Sequence, residues 1–189
     1  MDTSIQQIVR ERPWMGRIFT AYGLDSASPA PPPNQPELQL HLRQVWNGPE
    51  GLKRLHLTEL LDYIVHCHHR YMRKVLPQLI QQARANPVQT ALQAILKEGN
   101  PHMFREEMEV FPAIRDTHSE NRRPPHLIHW IQRLEQEHTR SLQHFLELRR
   151  AMPQASAQLQ AALTDLNEDM RWHMYAENEL LFPRVLRCA

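Results

Sequence analysis

Four stretches of the chain place apolar residues at three- and four-residue intervals, the spacing of a helix with one buried face. The first carries Leu61, Val65, His69, Met72, Leu76 and Ile80 on one stripe. It starts near Thr58, a capping residue type followed by the acids Glu59 and Asp62, and it ends at Asn86-Pro87. Pro77 predicts a kink inside it. The second starts near Val88, meets Gly99-Asn100-Pro101 as a kink or restart, and gives way after Pro112 to polar, proline-bearing sequence reaching Pro125. The third, 126–150, aligns Ile131, Leu134, His138, Leu142 and Phe145. After a turn at Met152-Pro153 the fourth, 155–186, aligns Leu163, Leu166, Met170, His173, Glu177 and Leu180. Four helices of roughly 25–30 residues with short connections predict an all-α, up-down-up-down four-helix bundle.

Ahead of the bundle lies a small helical segment. Residues 4–22 show apolar positions at Ile5, Ile8, Val9, Ile18 and Phe19, interrupted near Pro13 and closed by Gly23. Residues 25–36 are proline-rich and predict a stiff, extended linker. One more short helix is expected over 37–46. The division predicted is 1–50 for this segment and its linker, and 51–189 for the bundle. A segment so small cannot bury a core alone, so it docks on the bundle or awaits a partner.

Composition narrows the picture. Of 189 residues 41% are hydrophobic and only 5 are Gly, which suits helices over a many-turned β fold. A formal charge of +1 offers no electrostatic case for nucleic acid or a membrane surface. No apolar run is long enough for a membrane span and no charged-then-apolar leader opens the chain, so the expected location is cytoplasmic. The two cysteines, Cys67 and Cys188, form no CxxC pattern, whereas there are 12 histidines. Imidazole and carboxylate chemistry is expected, not thiolate chemistry.

One eleven-residue pattern occurs twice. Residues 102–112 read HMFREEMEVFP and residues 173–183 read HMYAENELLFP. Four residues of helix turn the chain by about 400°, so His102 and Glu106 share a stripe, as do His173 and Glu177. A single HxxxE is ordinarily a surface polar pair. Two copies are different, because a lone histidine precedes each at matched distance: His69 lies 33 residues before His102, and His138 lies 35 before His173. Buried carboxylates and imidazoles need compensation, and metal ions supply it. Four histidines and two glutamates exceed one tetrahedral zinc and suit two metals, with the glutamates bridging. Mixed nitrogen and oxygen ligation favours non-haem iron. Ferritin-like proteins use Glu-x-x-His instead, and HExxH is absent.

HHRYMRKVLPQL (68–79), HMFREEMEVFP (102–112), EQEH (135–138) and HMYAENELLFPRVL (173–186) together resemble the hemerythrin-like, HHE cation-binding domain. Within that group the chain is similar to the repair-of-iron-centres family, which includes the ScdA-type proteins, over about residues 55–188. The resemblance implies two iron ions in a non-haem, oxo-bridged di-iron centre held by His69, His102, Glu106, His138, His173 and Glu177. It also implies carboxylates beside the centre, at Glu98 and Glu137. IVRERPWMGRIFTAYGLD is similar to the small module that precedes the di-iron domain in this family, but Ser26-Ala27 stands where that module continues into a Cys-Cys pair.

The function implied is that of a nitrosative or oxidative stress protein. It would bind NO or O2-derived ligands, supply iron for iron–sulfur cluster repair, and have damaged iron–sulfur proteins as partners. The alternative is a hemerythrin-type O2 carrier or sensor without turnover, which needs a fifth imidazole from His66 or His68. Helical geometry turns both away from the stripe of His69, and His68 is expected to be exposed or beside the centre.

Overall fold

The computed structural model describes residues 3–84, 86–120 and 125–187, without the side chains of 117–120 and 125. Cys188 and residues 121–124 of the polar sequence expected after Pro112 lie outside the described residues. Every regular element among the described residues is helical. Three short helices come first: α1 (Ile5–Glu11), α2 (Met15–Ala21) and α3 (Pro36–Gln44). Four long ones follow: α4 over 57–82, α5 over 88–120, α6 (Pro125–Ala151) and α7 over 157–187. The fold is the expected all-α four-helix bundle.

The chain divides into two compact units, Met1–Tyr71 and Met72–Ala189, so that α4 contributes to both. In the first unit, the N-terminal helices pack against the opening turns of α4. Ile5, Ile8, Met15, Ile18, Phe19, Leu38, Leu42 and Val45 are all buried. His41 stands edge-on to Tyr63 and stacks on His66. The Tyr22 hydroxyl lies 2.7 Å from His41 Nδ1. The Arg12 guanidinium sits 4.1 Å over the Trp46 ring, and the Trp14 indole donates to Val45 O at 3.0 Å. The proline-rich stretch is pinned rather than free, because Ile5 N donates to Ala30 O at 2.8 Å and Gln6 N to Ser28 O at 2.9 Å. The first amides of α1 have no partners within their own helix, and these carbonyls supply them.

In the second unit α6 and α7 bury the predicted stripe residues Ile131, Leu134, Leu163 and Leu166, and α5 buries Leu92 and Ile95 beside them. Each such side chain contributes about 1.5–3 kcal/mol on leaving water. Leu142 departs from its expected inward place and is 46% exposed. Ser156 caps α7 by accepting from Leu159 N. The amide of Asn86 donates to Gln154 O at 2.9 Å and joins the two turns at one end of this unit.

Three features differ from the expectation. The cap of α4 is His56, not Thr58, in a reciprocal arrangement with Glu59, the acid of that first turn. The helix α5 continues past Pro112 to Glu120 instead of ending in a linker. Finally, α4, α5 and α7 each contain a π-helical turn, over Ile64–His69, Glu106–Val110 and Tyr175–Leu181. Pro112 and Pro183 follow the last two directly after a phenylalanine. A proline ring normally clashes with the carbonyl four residues back and lacks the amide to bond it. A widened turn spreads those carbonyls, which is why the repeated Phe-Pro does not end either helix.

Candidate metal centre

The two copies of the repeated pattern deliver their polar pairs from α5 and α7. His102 Nε2 lies 3.2 Å from Glu106 Oε1, and His173 Nε2 lies 2.9 Å from Glu177 Oε1. Glu106 opens one π turn and Glu177 is the third residue of another. From α6, His138 Nε2 reaches Glu177 Oε2 at 2.9 Å and His102 Nε2 at 3.0 Å. Both glutamates are fully buried, and the three histidines are buried. One ligand atom from each of His102, Glu106, His138 and Glu177 lies within 4.8 Å of the others, a group able to hold a metal ion.

The outer nitrogens of two imidazoles are held from behind. His102 Nδ1 is 2.9 Å from Glu137 Oε2. Arg105 donates to both oxygens of Glu137, at 2.7 and 2.6 Å, and Arg133 donates to Oε1 at 3.1 Å. His138 Nδ1 is 2.8 Å from Asn178 Oδ1. Such partners fix the tautomer with hydrogen on Nδ1, turning the Nε2 lone pair toward the cluster. Two lone pairs 3.0 Å apart repel unless a proton or a cation stands between them.

Electrostatics follow from this crowding. Burial opposes charge on His102, but Glu106 and Glu137 outweigh it and push its pKa up to about 10. His138 is also raised, with Glu177 overcoming burial. Burial works against ionisation of Glu137, yet its bond to His102 and its arginine neighbours bring it down to about 2. Glu177, against the full cost of burial, is held well below the ordinary carboxylate range by His173 and His138. Without metal, protons do the work of cations here.

Of the sequence-predicted residues, His102, Glu106, His138, His173 and Glu177 meet in the second unit. His69 is fully buried in the π turn of α4, in the first unit. Glu137 touches His102 directly. Glu98 is exposed and pairs with His144 at 3.2 Å; with Lys97, Arg105 and Arg140 it lines an open cavity of about 250 Å³ that His102 also borders. A separate cavity of about 20 Å³ lies against the three imidazoles, walled by Met72, Ile95, Gly99, Met103 and Met170. Sequence reasoning missed Asn178, which follows Glu177 and carries no periodic signal. Of the two places expected for His68, the exposed one does not hold: it is buried, edge-on to Tyr63 at 5.2 Å between ring centroids. Cys67 is a buried free thiol, as expected of a small apolar side chain.

Bundle and cluster together define a hemerythrin-like protein whose histidines and glutamates are placed to hold metal. The chain belongs to the repair-of-iron-centres family. It is similar to the iron–sulfur cluster repair protein YtfE of Yersinia pseudotuberculosis serotype IB (strain PB1/+), 30% identical over 153 residues that cover 69% of this chain and 66% of the relative. The protein of the same name from Yersinia pestis (strain Pestoides F) is 29% identical over 152 residues, covering 69% and 66%. The chain thus spans about two thirds of the length of these relatives. No protein-family model matches it. Among the described residues no helix is long and apolar enough to cross a membrane.

Proposed function

We propose that the chain is a non-haem di-iron protein of the nitrosative and oxidative stress response, which binds NO or O2-derived ligands and supplies iron to damaged iron–sulfur proteins in the cytoplasm. The observation that carries this reading is the convergence of the His102 and His138 Nε2 atoms on two fully buried carboxylates. His69, His102, Glu106, His138, His173 and Glu177 would hold the two iron ions. Bound there, iron supplies open coordination sites and redox chemistry that no side chain offers. The protein's own part is preparation. Glu137 and Asn178 hold the imidazoles in register, and uptake of metal displaces the protons that His102 and His138 otherwise carry. The small methionine-lined cavity of about 20 Å³ beside the imidazoles has room for one small molecule.

The repair role rests on the relatives' shared name and on the family to which the chain belongs. The packing of His68 on Tyr63 favours four imidazoles over the five of an oxygen carrier. The test is spectroscopic titration of the iron-loaded chain with NO, followed by transfer of its iron to a cluster-free acceptor protein. Both signals should vanish in Glu106→Ala and Glu177→Ala. An iron-loaded chain that neither responds to NO nor yields iron contradicts the reading.

A further inference from the structure

The first unit carries a chain of rings that the metal cluster leaves unused. The Tyr22 hydroxyl lies 2.7 Å from His41 Nδ1, and the two ring centroids are 5.9 Å apart. His41 stands edge-on to Tyr63 at 6.0 Å, and Tyr63 stands edge-on to His68 at 5.2 Å. Each step is within the range of direct ring contact. His68 is joined through its peptide bond to His69, which the function proposed above gives to iron. The chain of contacts therefore runs from the half-buried Tyr22 to a proposed metal ligand within the first unit.

The outer end of this chain is built for more than packing. His41 is 1% exposed, and burial, with His66 beside it, lowers its pKa to about 4. Burial also pushes the Tyr22 pKa up. Near neutral pH a phenol that keeps its proton thus faces an uncharged imidazole, and the hydroxyl donates to Nδ1. One-electron oxidation of tyrosine needs such a base in contact, because the phenol becomes strongly acidic as the electron leaves. The Arg70 guanidinium lies 4.9 Å over the Tyr22 ring and opposes loss of the electron. Glu37, beside both Tyr22 and His41, favours it.

We propose that Tyr22 and His41 form a redox-active pair, which delivers one electron through Tyr63 and His68 to the iron pair while hydrogen peroxide is reduced there. The inference rests on the two-iron reading of the site. Peroxide becomes two waters by taking two electrons and two protons. A pair with one ferrous and one ferric ion readily gives one electron; Tyr22 gives the second, and the two protons come from solvent. At Tyr22 the O–H bond breaks, the proton forms an N–H bond at His41 Nδ1, and the phenol becomes a neutral phenoxyl. Lacking that second electron, a ferrous ion splits peroxide into hydroxide and a diffusible hydroxyl radical. The relay leaves instead a phenoxyl confined to one side chain.

The test mixes the iron-loaded, mixed-valent full chain with hydrogen peroxide and follows it by freeze-quench paramagnetic resonance, after its iron content and response to NO have been measured. A tyrosyl phenoxyl signal is expected after mixing and not before, forming more slowly in heavy water because a proton moves with the electron. Tyr22→Phe and His41→Gln should each lose the signal, with iron content, NO response and circular dichroism unchanged. Tyr63→Leu, with the same circular dichroism, should slow its appearance. A chain that holds no iron pair overturns the two-iron reading and this inference with it. A chain that holds its irons and responds to NO, yet gives no phenoxyl or gives the same one in Tyr22→Phe, overturns the inference alone. Formation at the parent rate in Tyr63→Leu overturns the route.

Discussion

His102 and His138 face each other through their Nε2 atoms at 3.0 Å, while Glu137 and Asn178 take the Nδ1 atom of each from behind at 2.9 and 2.8 Å. The two rings come from α5 and α6, and their backing residues come from α6 and α7. Three helices must therefore keep register for the pair to exist.

That relationship predicts the effect of Glu137→Gln. An amide can accept from His102 Nδ1 but brings no charge, and it loses its ion pair with Arg105. Metal affinity should fall roughly 10–100-fold with the helical content unchanged. Asn178→Leu should act similarly through His138. Isothermal titration of metal into each variant checks this, and parent-like affinity in both would remove the orienting role.

The helical phase predicts which glutamates hold iron. Glu106 and Glu177 are fully buried, whereas Glu107 pairs with Arg73 at 2.8 Å and Glu179 is exposed. Glu106→Ala or Glu177→Ala should lose most of the bound iron, and Glu107→Ala or Glu179→Ala should keep it. Iron analysis of the four purified, folded variants decides. Equal loss in all four would sink the assignment.

Protons and metal compete for the same imidazoles, which sets a sign. His102 is raised from 6.5 to about 10 in the metal-free fold, so its stabilising contribution is complete below 6.5 and is lost as pH climbs toward 10. Glu137, lowered from 4.5 to about 2, contributes above 4.5 and loses that contribution as pH falls toward 2. Metal-free protein should therefore melt at lower temperature at about pH 9 than at about pH 6. The rise in melting temperature on adding ferrous iron anaerobically should grow over the same interval, because fewer protons must leave. Thermal melts with and without metal at both pH values test it; a metal effect that shrinks with rising pH would contradict the competition.

At the N-terminus, Ser26 and Ala27 offer neither a thiolate for exchange nor a soft metal ligand. The chain should bind iron and NO yet repair damaged clusters poorly, and Ser26→Cys with Ala27→Cys should raise repair without changing iron content. Deleting residues 1–36 removes the buried Ile5, Ile8, Met15, Ile18 and Phe19 and the Trp14 hydrogen bond to Val45 O from the first unit, so its main cost should fall on stability. The truncated protein's melting temperature and iron content, measured beside those of the full chain, check both statements. A folded truncation that has lost its iron would show that the N-terminal segment supports the centre.

The bundle was legible because apolar spacing repeats over four long stretches, and burial follows that spacing at Ile131, Leu134, Leu163 and Leu166. The polar pairs at 102–106 and 173–177 were legible because the pattern is duplicated; a single copy would have read as a surface pair. The π turns were not legible. They change which carbonyl each amide bonds and leave no compositional trace beyond the repeated Phe-Pro. They hid the continuation of α5 past Pro112, whereas Asn178 was hidden because it carries no periodic signal. His56 escaped notice as a cap because histidine is not among the usual capping residues, although Glu59 three positions on was the acid that completes the arrangement.

The central claim, a pair of iron ions held by four imidazoles and two carboxylates, is tested most directly by metal analysis of the purified chain together with its optical spectrum. The account predicts two irons per chain and the near-ultraviolet charge-transfer absorption of a coupled iron pair. Stoichiometric zinc alone, or a single iron without those bands, would contradict it.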